Sequence, residues 1–163
     1  MRGAEGSSMQ VNTLVVFLHV LLAFAAIALL IVPGIMLEMV ARTHDAGLIR
    51  RVYPLGKFHG QVGGPLSLLA ALLGFVVAWR LGIPLNSGWL IATYVAFVLA
   101  VGLGIFYHSR RELRIGALAA ASASDTPSPE LAALIDDRAA MPVNWISLLL
   151  WTFIIWLMVA KPF

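Results

Sequence analysis

From Val11 to Val40 the chain carries one acidic side chain, Glu38, and no Lys or Arg, and three further apolar runs follow it. An apolar run of about 18 residues or more can cross a hydrocarbon core of ~30 Å as a helix, because a helix satisfies its own backbone there. The pattern predicts an all-α fold: a polytopic membrane protein built as a four-transmembrane-helix antiparallel bundle. The spans read as residues 13–40, 58–80, 89–107 and 142–160. The first exceeds one crossing and has Pro33-Gly34 at a kink position. Gly82, Pro84 and Asn86 form a short turn that makes the second and third spans antiparallel neighbours. Pro142 sits where a fourth helix can start.

Between the spans, residues 41–57 and 108–141 read as loops with some local helix. Asp45 can cap a short helix through Val52 that stops before Pro54, and Ser128-Pro129-Glu130 opens another running to about Met141. The Ala, Ser, Asp, Thr and Pro between Ala119 and Pro129 read as a flexible connector. Residues 1–12 read as a flexible N-terminal tail and 13–163 as a single membrane domain. Met9 is an alternative start, and a signal peptide is a competing reading of the first run. A weak basic segment and an apolar stretch longer than the usual 7–15 residues count against the signal peptide.

Composition removes the soluble alternatives. Of 163 residues, 61% are hydrophobic and 12% charged, with mean hydropathy +0.92, where soluble domains are roughly a quarter charged. With no Cys the chain can form no disulfide, thiolate metal site or thiol nucleophile. The net charge of +3 is modest and lacks a basic stripe interleaved with aromatics, so the expected partner is the lipid bilayer and not nucleic acid.

Charge distribution sets the orientation. Arg42, Arg50, Arg51, Lys57, Arg110, Arg111, Arg114 and Arg138 fall in the two long loops, against Arg2, Arg80 and Lys161 on the other side. The positive-inside rule places the loops in the cytoplasm and both termini on the outer side of a bacterial inner membrane. Trp79, Trp89 and Trp156 would mark the outer boundary, and Tyr53, Tyr107 and Trp145 the inner one.

Ionisable groups inside or beside the spans are the candidates for chemistry. His19 lies in the outer half of the first span, while Glu38, His59 and His108 sit near the inner boundary. At ~1.5 Å rise per residue, His19 and His59 are roughly 20 Å apart in depth and make a poor axial pair for a haem. His59 and His108 share a level, each at the end of a small-residue stripe: His59, Gly63, Ser67, Ala71 and Ala92, Ala96, Ala100, Gly104, His108. If those stripes meet, His59 and His108 form a haem b or metal site with Glu38 as third ligand or supporting group. The alternative is that these histidines bond carbonyls, Tyr107, lipid or water, and that Glu38 pairs with Arg42 one turn later. His19 has the same two readings, a haem or proton role or a bond to a neighbouring helix. Gly60-x-x-x-Gly64 is a second close-packing device, and Gly102 and Gly104 belong to a packing face. No phosphate loop, zinc-protease helix or paired buried carboxylates appear.

Phe17-Leu18-His19-Val20, Ala41-Arg42-Thr43-His44-Asp45 and Leu157-Met158-Val159-Ala160-Lys161-Pro162 carry a resemblance along most of the chain. The chain resembles the small four-helix bacterial family of uncharacterised predicted integral membrane proteins. It is more loosely similar to copper-resistance D type proteins and to the membrane protoporphyrinogen oxidase. The looser likeness implies His19 as a haem or metal position. The oxidase type also uses an Arg soon after that His and a helix-borne Lys, whereas here the first span has no Arg before Arg42 and the only Lys residues are Lys57 and Lys161.

The sequence thus points to a non-enzymatic accessory or assembly partner of a membrane complex, working with other membrane subunits or as a homo-oligomer. A b-haem or metal-binding redox protein is the alternative. Cys introduced at Asn86 should react with an impermeant maleimide from the outer side of intact cells, and Cys at Ser122 only after lysis. The reverse labelling would overturn the orientation.

Overall fold

The computed structural model describes the backbone over residues 2–162, with side chains described from Met9 onward except at Lys57. Helix α1 spans Arg2–Ala41, α2 Ala46–Arg80 and α3 Gly88–Leu103, the last continuing through a π-helical segment at Gly104–Ser109 into α4, Arg110–Ala121. A short α5, Pro129–Ile135, precedes α6, Ala140–Ala160. Four stretches, Met9–Ala41, Ala46–Arg80, Gly88–Ala121 and Pro129–Ala160, contain helix long and apolar enough to cross a membrane. There is no strand among the described residues.

The α1–α2 hairpin is set by glycine. A Cβ at Gly56 would strike Leu37, one at Gly63 would strike Leu30, and one at Gly74 would press on the His19 ring. Moving seven residues along α2 from Gly56 moves the partner seven back along α1, and eleven more bring Gly74 opposite His19. One antiparallel register thus holds along the pair. Membrane helices gain little from the hydrophobic effect between them, so backbone approach over small residues supplies the packing. Arg80 donates from Nε to Asn12 Oδ1 at 2.8 Å, tying the far end. The α3 stripe packs differently: Ala96 and Ala100 are buried with Trp151 and Ile154 of α6, and Ile27, Leu30 and Ile31 of α1 close over them. Between α2 and α3, Phe75 stacks on Tyr94 at 5.2 Å, and Ala78 packs with Trp89 and Leu90.

At the basic end the packing is that of a water-soluble domain. Ile49, Ile115, Leu131 and Ile135 are almost completely buried with Leu37, Ala41, Ala46, Tyr53 and Ala119. Each such aliphatic side chain contributes about 1.5–3 kcal/mol if it is hydrated in the unfolded chain. This core exists because α2 is longer than a crossing. Its 35 residues span about 52 Å, more than a ~30 Å hydrocarbon core requires, and its first turns pack on α4 and share a core with α5.

Several boundaries differ from those the sequence suggests. Residues 2–12, expected as a tail, continue α1, and Asn12 is held by Arg80. The loop expected over 41–57 shrinks to a turn before Ala46, because α2 runs unbroken through Pro54 and Pro65. Asp45 does cap it, accepting from the Leu48 N–H at 2.8 Å. The helix expected to run from Ser128 to Met141 stops at Ile135. Asp136 and Asp137 end it, the latter accepting from the Ala139 N–H and so offering the backbone a turn in place of a helix bond. The connector at 122–128 is not loose: Arg50 donates to Ser122 O and Asp125, and Asp125 O accepts from Ala46 N–H at 2.8 Å. Trp89 is buried with the Lys161 ammonium over its ring, while Trp79 and Trp145 are exposed. A Cβ at Gly102, Gly104, Gly60 or Gly64 would meet nothing within 4 Å, so neither glycine pair packs within the chain.

Gly63 and Gly64 therefore make a matched test. Gly63→Leu should lower stability by about 1–3 kcal/mol through overpacking against Leu30, read as unfolding in a mild detergent. Gly64→Leu should leave it unchanged, and equal losses would refute the register.

Candidate functional site

Glu38, one turn from the end of α1, gathers the basic end around it. Its Oε2 accepts from Arg111 Nη1 at 2.7 Å and its Oε1 from Arg42 Nε at 3.0 Å. The Glu38–Arg111 pair is close to fully covered, with side chains 11% and 10% exposed, whereas Arg42 is 45% exposed. Arg111 also donates to the carbonyls of Leu134 and Ile135. One guanidinium thus holds the end of α1 and the last turn of α5, and only its Nε lacks a partner. Around it, Tyr53 donates to Leu37 O at 3.2 Å, Tyr107 to Asp137 at 3.4 Å, and His44 Nε2 lies 3.1 Å from Asp136 Oδ1.

The expected Glu38–Arg42 pair is present. Arg111 is the partner that sequence reasoning missed, and its signal lay in α4: Arg111, Ile115 and Ala119 recur every four residues, so the Arg stands on the buried stripe. The side chain of Lys57 lies outside the described residues.

The histidines have separate surroundings. His19 Nδ1 lies 2.8 Å from Ala70 O. A carbonyl can only accept, so Nδ1 is the donor. His108, in the π-helical segment, shares a 2.8 Å hydrogen bond through Nε2 with Ser147 of α6. His59 has its Nδ1 buried without a partner. Ala70 is eleven residues along α2 from His59, about 16 Å of helix, so His19 and His59 occupy different depths. The two small-residue stripes do not form one seam, since Gly63 faces Leu29 and Leu30 of α1 while Ala96 and Ala100 face α6 and α1. Among the described residues no three His, Asp or Glu side chains converge to hold a metal ion.

With this geometry in place, comparison with known proteins identifies the chain. The family described as "Predicted integral membrane protein (DUF2269)" matches residues 13–162. The chain belongs to that family. This DUF2269 protein is therefore an integral membrane protein whose apolar helices sit in a lipid bilayer, as the sequence suggests. No curated protein and no solved structure matches it.

The central ion pair predicts a sign pattern. Arg111→Leu or Glu38→Leu alone should cost about 3–5 kcal/mol, each leaving a covered charge short of its partner. The double substitution should cost less than the sum of the two, measured as a double-mutant cycle on detergent unfolding. Strict additivity would show the pair to be energetically idle.

Proposed function

We propose that this DUF2269 protein is a non-enzymatic accessory or assembly subunit of a bacterial inner-membrane complex, with its basic end in the cytoplasm. The observation that carries the reading is the open Gly60-x-x-x-Gly64 face on α2. Within α2, Gly56, Gly63 and Gly74 are used to seat α1, but a Cβ at Gly60 or Gly64 meets nothing. Gly60 borders the cleft between α2 and α4 and Gly64 is open, and the room for close backbone approach at Gly64 suits a partner helix, a second copy of this chain or another subunit. The polar groups along the spans support the same role. Ser67 and Thr93 are buried and donate to carbonyls of their own helices, and His19 and His108 bond across to neighbours. The bonds of His19 and His108 tie neighbouring helices together, while Ser67 and Thr93 are satisfied within their own.

A second reading, a b-haem or metal-binding redox protein, has two observations in its favour. His59 Nδ1 is buried and unpartnered, and His19 donates from one nitrogen to a carbonyl while keeping the other free, as ligating histidines commonly do. The donor set fits a shared His59–His108 haem poorly, because His108 Nε2 is already bonded to Ser147.

Two measurements on one preparation separate the readings. The accessory role predicts a colourless protein, oxidised or dithionite-reduced, that runs in native gels of gently solubilised membranes well above its own 17.6 kDa plus detergent. Gly64→Leu should collapse that species to the single chain. A Soret band lost in His59→Ala and His108→Ala would favour the redox reading, and a single-chain band in the unaltered protein would sink the accessory role.

A further inference from the structure

A cavity of about 700 Å³ opens between the first half of α2 and α4, beside the covered ion pair but separate from it. The two helices run antiparallel, and Gly116 marks their register, since a Cβ there would lie 3.6 Å from the Tyr53 Cβ. Counting seven residues away from that contact on each helix sets Gly60 beside Ser109, at the end of the cavity nearer the apolar spans. The two ends differ in chemistry. Toward the spans the lining is polar, with Gln61, Ser109 and Glu112. On the far side of Glu112 it is apolar and sparse, with Leu113, Gly116 and Ala117 on α4 and Pro54 on α2.

Glu112 is half-buried and makes no hydrogen bond or ion pair among the described residues. The arginines around it are committed elsewhere. Arg111 is held by Glu38, Arg114 by Glu130, and Arg50 is turned to Ser122 O and Asp125 at the other end of α4. Burial pushes the Glu112 carboxyl up to about 7, with Arg111 pulling it down and Glu38 of α1 pushing it further up, while Tyr53 is the titratable floor that α2 supplies. Glu112 is the one carboxylate in the lining, and about 12 Å of helix separates it from Ala120 at the far end.

We infer that this cavity binds a small organic monoamine, its ammonium on Glu112 and its alkyl or aryl body along Leu113 and Ala117. Charge complementarity selects the cation, and a single carboxylate matches a single positive charge. The volume selects a small molecule, because it falls within the roughly 300–1,000 Å³ of such sites, which are mostly apolar with a few placed polar groups. The direction of the apolar half selects a free amine over an aminophospholipid. That half extends from Glu112 away from the spans, whereas the chains of a lipid whose headgroup reached Glu112 must return toward the bilayer. A charge-assisted hydrogen bond between ammonium and carboxylate is about twice as strong as a neutral one.

Isothermal titration calorimetry of the full chain in an uncharged detergent tests the site, with phenethylamine as the probe and phenethyl alcohol as its neutral isostere. At about pH 8 Glu112 is ionised while an alkylammonium keeps its proton. The expected result is one amine per chain, held about tenfold more tightly than the alcohol. Glu112→Gln should remove that difference. Ala117→Phe, which fills the apolar half from an exposed position, should abolish amine binding without lowering the melting temperature. Added phosphatidylethanolamine should leave the amine in place, and displacement by it would assign the ammonium to a lipid headgroup and overturn the free amine as occupant. Equal affinity for amine and alcohol, or no saturable amine binding, in the unaltered protein overturns the site whether or not Glu112→Gln folds. An undiminished preference for the amine in a folded Glu112→Gln also overturns it.

Discussion

The structure turns on a carboxylate placed where a membrane helix ends. Glu38 is the first charged residue α1 meets after Val11, and it is covered rather than hydrated. A charge can sit there only if it is paired, because burying it alone costs several kcal/mol. Arg111 supplies the pairing from α4, a helix far away in sequence, and the same guanidinium reaches two carbonyls at the end of α5. A pair of this type contributes modest net stability, but it is intolerant of displacement. It fixes where α4 and α5 must dock on the α1–α2 hairpin. The dense apolar core around Ile49, Ile115, Leu131 and Ile135 forms in the register that this pair allows.

Two kinds of packing meet at that point. Along the spans many large apolar side chains face outward, Phe24, Leu72, Val98 and Val159 among them, as suits lipid contact. Helices are held there by fit: glycines of α2 under leucines of α1, alanines of α3 under Trp151. Beyond the basic boundary the driving force becomes the removal of apolar area from water. The turn at Thr43–Asp45 links the regimes, with His44 in the left-handed region at φ 54° and bonded to both Arg42 O and Asp136.

Much of the fold is legible in the sequence because a bilayer imposes a length and a polarity on its helices. The four spans, the Asp45 and Ser128 caps and the Glu38–Arg42 pair all follow from local rules. The departures arise where local rules meet tertiary packing. Pro54 reads as a stop, yet a helix that is packed on both sides tolerates the missing N–H, and α2 passes through it. Of the segments 46–57 and 110–121, the sequence reads helix only as far as Val52 in the first and leaves 53–57 and the end of α4 as connections. Their helicity comes from an amphipathic face that has meaning only once the two segments are set against each other. The stripes ending at His59 and His108 are real, but periodicity tells which residues share a face and not which neighbour that face meets. The α2 stripe meets α1, since the hairpin turn at 42–45 is even shorter than the one at 81–87.

The same constraint explains why there is space beside the core. Successive residues on a helix are turned about 100° from one another, so once Arg111 and Ile115 point at Glu38 and Ile49, Glu112 and Gly116 must point along α2 toward Tyr53 and Gly56. With large apolar residues there, α4 would seal against α2. The chain instead places a carboxylate, glycines and alanines, and a Cβ at Gly116 would still lie 3.6 Å from Tyr53. The helices are thus close enough to touch at the floor and too sparsely furnished to close at the mouth. The ion pair that fixes the docking of α4 therefore also determines that Glu112 faces the cleft between α2 and α4.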